Sequence, residues 1–114
     1  MSSPIVFVDF AGPDVAALRT FYSDLFGWDA GAPQFAISVV TPLMATVRKD
    51  PAEKRVYIGV DDVAQKLLEI QAHGGTIDQP RFEVPGVVIL GLFSDPAGNP
   101  MGLVEMEGKA HKVP

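Results

Sequence analysis

An internal repeat constrains this chain more than any other feature. Asp14-Val15-Ala16 returns 48 positions later as Asp62-Val63-Ala64, and Gly27 returns as Gly75. The alternating stretch ahead of each also lines up, Phe7 with Arg55 and Asp9 with Tyr57. One supersecondary unit is therefore written twice. Each copy alone has an open sheet whose face opposite its helix is bare. Two copies side by side can curve into one sheet around a shared cleft, which is a physical reason for the duplication.

In the first copy, Ile5–Phe10 reads as a strand rich in β-branched and aromatic residues. Side-chain alternation sends Val6, Val8 and Phe10 to one face and Ile5, Phe7 and Asp9 to the other. Pro13 and Asp14 close a turn, and Asp14 is a good N-cap for a helix over Asp14–Phe26. Val15, Leu18, Phe21, Tyr22, Leu25 and Phe26 recur at helical spacing and predict its apolar face. Gly27 is placed to end it in a left-handed conformation. Gln34–Val40 and Leu43–Lys49 read as strands joined at Thr41-Pro42, and Asp50–Lys54 as a polar linker.

The second copy opens with the strand Arg55–Val60, in which Val56, Ile58 and Val60 alternate with Arg55, Tyr57 and Gly59. Asp61 or Asp62 caps a helix with Val63, Leu67, Leu68 and Ile70 as its apolar positions, stopped by Gly74-Gly75. Strands are predicted at Thr76–Phe82, Val87–Phe93 and Met101–Met106, with a strong turn at Asp95–Pro100 before the last. The polar tail from Gly108 reads as frayed.

Composition narrows the function. A chain of 114 residues fits one domain and buries roughly two-thirds of its unfolded surface. A net charge of −5 with scattered basic residues argues against nucleic acid, which needs clustered Lys and Arg. The absence of cysteine removes disulfides, thiolate metal sites and thiol nucleophiles, and suits a reducing cytoplasm. No apolar run approaches a membrane span, and Met1-Ser2-Ser3-Pro4 is unlike a signal peptide, so a cytoplasmic protein with no membrane contact is expected.

Three motifs together carry a family resemblance: Asp14 to Tyr22 with Phe26-Gly27-Trp28, the run Val56 to Val63, and Phe93-Ser94-Asp95-Pro96-Ala97-Gly98-Asn99-Pro100. The last is similar to an F-x-D-P-x-G-N turn. The chain resembles the vicinal oxygen chelate superfamily of glyoxalases, bleomycin resistance proteins and extradiol dioxygenases. The resemblance implies an α+β fold, with two βαβββ modules (about 4–49 and 55–107) forming a curved mixed sheet around a cleft. The helices lie on the outer face. It also implies one such domain over 1–114, often completed by a second subunit, so a homodimer is expected.

Metal-using relatives place His, Gln or Glu near the start of each module's first strand, on a late strand of the first module and on the last strand. Carried onto this chain, three of these positions fall on Phe7, Arg55 and Gly102. A phenyl ring and a glycine offer no donor, and a guanidinium repels a cation. The fourth position stays unplaced, and Leu43–Val47 holds no carboxylate or imidazole. No metal and no cofactor are expected.

The face opposite the helices then holds Phe7, Asp9, Arg55, Tyr57 and Gly102 as ligand-binding candidates, with Asp9 and Tyr57 as the catalytic candidates. In the structural reading, Asp9 and Arg55 satisfy one another as an internal pair. In the functional one, Arg55 anchors an anionic or carbonyl-bearing ligand, Tyr57 donates a hydrogen bond, and Asp9 orients Arg55 or accepts a proton. Gly102 leaves room for a ligand. Trp28, Phe82, Phe93 and Met101 read as packing residues. Alternation puts Glu105 on the face opposite Gly102. The favoured function is metal-free small-molecule binding. The alternatives are a lyase, isomerase or oxygenase on a small carbonyl or aromatic substrate, and a regulatory module with a vestigial cleft.

Overall fold

The computed structural model describes residues 3–26, 28, 34–37 and 43–114. The elements run β1 (Ile5–Gly12), α1 (Val15–Phe26), β2 (Phe35–Ile37), β3 (Leu43–Lys49), β4 (Glu53–Val60), α2 (Val63–Ala72), β5 (Thr76–Val84), β6 (Val88–Ser94), β7 (Pro100–Glu107) and β8 (Ala110–His111). The fold is α+β, an open mixed sheet with two helices. Gly27, residues 38–40 and the Thr41-Pro42 turn lie outside the described residues.

The chain divides into two compact units, Phe7–Arg55 and Met1–Val6 with Val56–Pro114. In the first, β3 pairs parallel with β1 and antiparallel with β2. In the second, β7 pairs parallel with β4 and antiparallel with β6, and β5 pairs antiparallel with β6.

Both helices start where the sequence says. Asp14 Oδ1 accepts from Ala17 N at 3.0 Å, and Asp62, rather than Asp61, accepts from Gln65 N at 2.9 Å. Each carboxylate satisfies an amide that has no partner inside its own helix. At the far end of α2, Gly74 takes φ +94°, a left-handed turn in which a side chain is strained. The Asp95 turn is held by its own carboxylate, which accepts from Ala97 N, Asn99 N and the Asn99 side-chain amide.

Each helix covers one face of its own strands. In the first unit, Phe35, Ile37, Ala45 and Val47 form a core with Val8, Val15, Leu18 and Trp28 against it. Trp28 stacks on Tyr22 with ring centroids 5.1 Å apart and closes over Phe10 and Phe35, so it is a packing residue. In the second, Val60, Val63, Leu67, Phe93 and Leu103 are buried, with Ile58, Ile70 and Met101 beside them. Gly91 lets α2 sit close on β6, because a Cβ there would lie 2.7 Å from Val63 Cγ1.

Several expectations are corrected. Phe21, Leu25 and Phe26 on α1 and Leu68 on α2 face outward, because a helix on a sheet covers only a narrow stripe. Val6 approaches Gly59, where the missing side chain leaves room that Met106 also fills. The linker is shorter than expected, since β4 already begins at Glu53. The tail is tied down rather than frayed: β8 pairs with the end of β7, Lys112 N donates to Glu105 O at 2.8 Å, and Gly86 N donates to Pro114 O at 3.3 Å. Unpaired strand amides at the end of β7 give the tail partners. Among the described residues, no helix is long and apolar enough to cross a membrane.

Candidate functional site

The candidates sit on β1, β4 and β7, and strand register decides their neighbours. In the first unit Asp9 is opposite Thr46 on β3, and its side chain is buried, the residue 2% exposed. Two positions further along β3, Arg48 lies on the same face as Thr46. Arg48 Nε stands 3.0 Å from Asp9 Oδ2. Its other two nitrogens are also taken. Nη1 donates to Asp50 Oδ2 at 2.8 Å and Nη2 to Glu53 Oε2.

The structure adds Arg48 as a cation beside Asp9 to the Asp9–Arg55 pairing expected from the sequence. The buried carboxylate of Asp9 meets Arg48, and the guanidinium of Arg55 reaches Glu53 Oε2 at 3.4 Å. The reason is register: parallel pairing puts Arg48 beside Ala11, close enough for its long side chain to fold back along β1. Burial works against the Arg48 charge and is the largest single influence on it. The Asp9, Glu53 and Asp50 carboxylates together outweigh burial and raise its pKa further. Glu53 is held below the usual carboxylate range, chiefly by its hydrogen bond from Arg48.

In the second unit Tyr57 is opposite Gly102 on β7. Its ring lies flat against the glycine: a Cβ at position 102 would be 2.4 Å from Tyr57 Cδ2 and 2.5 Å from Cε2. The space that Gly102 leaves is thus filled by Tyr57, not open to a ligand. An aromatic ring over a neighbouring strand's glycine is a stable arrangement, since it covers bare backbone. Glu105, three residues on, faces the helix as alternation predicts. It is buried, and its Oε1 accepts from Val63 N at 3.1 Å, at the first turn of α2. Arg81 reaches both of its oxygens at 3.3 Å. Burial is the largest influence on Glu105 and pushes its pKa up, but Arg81, the Val63 amide and Lys112 hold the carboxyl below its ordinary value. Glu105 is therefore an anchor for a helix N-terminus.

Register also supplies the ligand position that the sequence left unplaced. Asp9 corresponds to Tyr57 in the repeat, so its neighbour Thr46 corresponds to Gly102, the neighbour of Tyr57. Under the family resemblance, the four ligand positions correspond to Phe7, Thr46, Arg55 and Gly102. They do not fit a divalent cation. They offer one neutral hydroxyl and one permanent cation, and the fourth place is under a tyrosine ring. Among the described residues, no cluster of three or more His, Asp or Glu side chains could hold a metal. Sequence reasoning missed Thr46, Arg48, Glu53 and Arg81. Their signal was the pairing register, which no local pattern carries.

Residues 5–104 match the sequence profile of the glyoxalase-like domain. The chain is 29% identical over 116 aligned positions to an anthracycline biosynthesis protein of Streptomyces peucetius, covering 79% of this chain and 42% of that protein. It is 26% identical over 112 positions to CFP32 of Mycobacterium bovis, named as a glyoxylase, covering 84% and 43%. The chain therefore spans less than half the length of these relatives. A structure of methylmalonyl-CoA epimerase in complex with methylmalonyl-CoA superposes with a TM-score of 0.72 at 12% identity, covering 98% of this chain and all of that one. A Streptomyces coelicolor methylmalonyl-CoA epimerase variant, in complex with 2-nitronate-propionyl-CoA, gives the same TM-score, with 98% and 99% covered. These last two likenesses show the fold. With the profile matched from β1 into β7, the chain belongs to the glyoxalase-like domain family of the vicinal oxygen chelate superfamily.

Proposed function

We propose that this chain is a small-molecule-binding glyoxalase-like module that works without the superfamily's metal centre. The observation that carries the reading is the Tyr57 ring seated on Gly102, where a metal user of the family presents a ligand. Arg55 and Tyr57 lie two residues apart on β4 and so share a face of that strand. A guanidinium beside an aromatic ring suits a flat ligand that carries a carboxylate or carbonyl. The Streptomyces peucetius relative's name and the epimerase ligands suggest two probe classes, hydroxylated polycyclic aromatics and acyl-CoA thioesters. No observation favours Asp9 and Tyr57 as a catalytic acid–base pair over this binding role. A homodimer and a cytoplasmic location belong to the same reading.

The test is direct. The protein, purified without chelator, is assayed by elemental analysis and then titrated calorimetrically with one probe of each class. The reading expects no stoichiometric divalent metal, and binding of one class that added zinc or nickel does not strengthen. Near one equivalent of metal per chain, or binding that appears only with metal, overturns it.

A further inference from the structure

The charges around Arg48 and Arg55 do not balance. Within the first unit, Arg48 faces Asp9 through Nε, Asp50 through Nη1 and Glu53 through Nη2. The Glu53 oxygen that accepts from Arg48 also lies 3.4 Å from Arg55 Nη2. Among the described residues, two guanidiniums thus meet three carboxylates, and the network carries one net negative charge. At the Asp50 end the side chain is 53% exposed, so water screens it. At the other end the Arg55 side chain is only 10% exposed, and screening there is weak. The hydrogen bond from Arg48 holds the Glu53 carboxyl below the usual carboxylate range, so it is ionised at neutral pH. A guanidinium has five N–H donors but a single charge, and Glu53 meets that charge on Arg55 through Nη2. The face that Asp9 shares adds no further charge. Phe7 stands opposite Met44, and Asp9 opposite Thr46, which supplies a ring, a thioether and a hydroxyl.

We infer that Glu53 is a specificity-determining residue, which makes Arg55 select a neutral carbonyl on a flat aromatic ligand over a carboxylate on the same ring. This rests on the small-molecule reading above and narrows its ligand. A carbonyl oxygen needs only an N–H to accept from, and a charged donor makes that hydrogen bond stronger than a neutral one does. A carboxylate needs a compensating charge as well. Beside Glu53 it would be a second anion on one guanidinium and the fourth in the network, where burial leaves the repulsion poorly screened. Arg48 gives no relief, because its three nitrogens already face Asp9, Glu53 and Asp50. A carboxylate also gives up more hydration on entering a buried place than a carbonyl does. The ring of Phe7 and the polarizable thioether of Met44 suit an uncharged aromatic body.

Methyl naphthyl ketone and naphthoate share one ring system and differ in charge, and calorimetry reads the binding of both. Wild-type protein is expected to bind the ketone at least about tenfold more tightly than naphthoate. Glu53→Gln keeps the side-chain shape and an acceptor for Arg48 while removing the charge. It should strengthen naphthoate binding at least about tenfold and move the ketone less than about threefold. Asp50→Asn makes the same change in net charge but touches Arg48 rather than Arg55, and it should leave the preference in place. Glu53→Asp keeps the charge and should keep the preference. Naphthoate bound by wild-type protein as tightly as the ketone overturns the inference without any variant, and the small-molecule reading stands. A Glu53→Gln protein that is folded by circular dichroism and keeps the wild-type preference also overturns it. So does an Asp50→Asn protein that behaves like Glu53→Gln. Failure of all four proteins to bind either probe removes the ligand face at Arg55 and the inference with it, while the small-molecule reading falls only on its own titration.

Discussion

Replacing Arg48 by Met tests the cation that the structure places beside Asp9. Arg48 is the cation that stands 3.0 Å from the buried Asp9 carboxylate, and it also holds Glu53 and Asp50. Removing one partner of a buried ion pair costs about 3–5 kcal/mol, because the remaining charge stays desolvated. The Arg48 side chain is 27% exposed, and solvent screening trims the figure to about 3 kcal/mol. Near this chain length that corresponds to a melting-temperature fall of roughly 12 °C, at about 4 °C per kcal/mol.

Arg55→Met removes a buried guanidinium that reaches Glu53 and should lose about 1–3 kcal/mol. Urea denaturation followed by circular dichroism measures both at constant slope. Asp9→Asn combined with Arg48→Met should recover part of the loss, since the stranded charge is then gone. The assignment fails if Arg48→Met stays within about 1 kcal/mol of wild type.

Gly102→Ala places a Cβ 2.4 Å from the Tyr57 ring and should cost about 1–3 kcal/mol by overpacking, read from the same denaturation curves. If Tyr57 contacts a ligand, the displaced ring should also weaken calorimetric probe binding. Glu105→Ala, which strands the Val63 amide and Arg81, should cost about 1–3 kcal/mol, while Glu105→Gln keeps an acceptor and loses less. Glu53 and Glu105 both have folded pKa values below their ordinary 4.5. Their contribution is therefore fully present above that value and is lost as pH falls below it. Melts between about pH 7 and pH 3 should show that loss, with a shallower acid limb in Glu105→Gln. Arg55→Met should keep its fold by circular dichroism and lose carboxylate-bearing probes in calorimetry, and retained binding would remove Arg55 from the ligand face.

What the sequence by itself determined is what acts over short separations. Asp14 and Asp62 cap their helices three residues ahead, Asp95 folds its own turn, and alternation sends Val8, Phe10, Ile58 and Val60 to the helices. The 48-residue repeat carried the fold class, because two matching local patterns leave few ways to share a sheet. Tertiary structure alone decided which charges meet. The sequence paired Asp9 with Arg55, and parallel register beside β1 brings Arg48 to the same carboxylate. Register also laid Tyr57 on Gly102, matched Thr46 to it, and turned the tail back onto β7. Periodicity found the apolar residues of α1 but not their cover. A 3.6-residue repeat marks which side chains cluster, whereas burial depends on the width of the surface that the helix meets. In α1 that surface reaches Val15, Leu18 and Tyr22 and stops short of Phe21, Leu25 and Phe26.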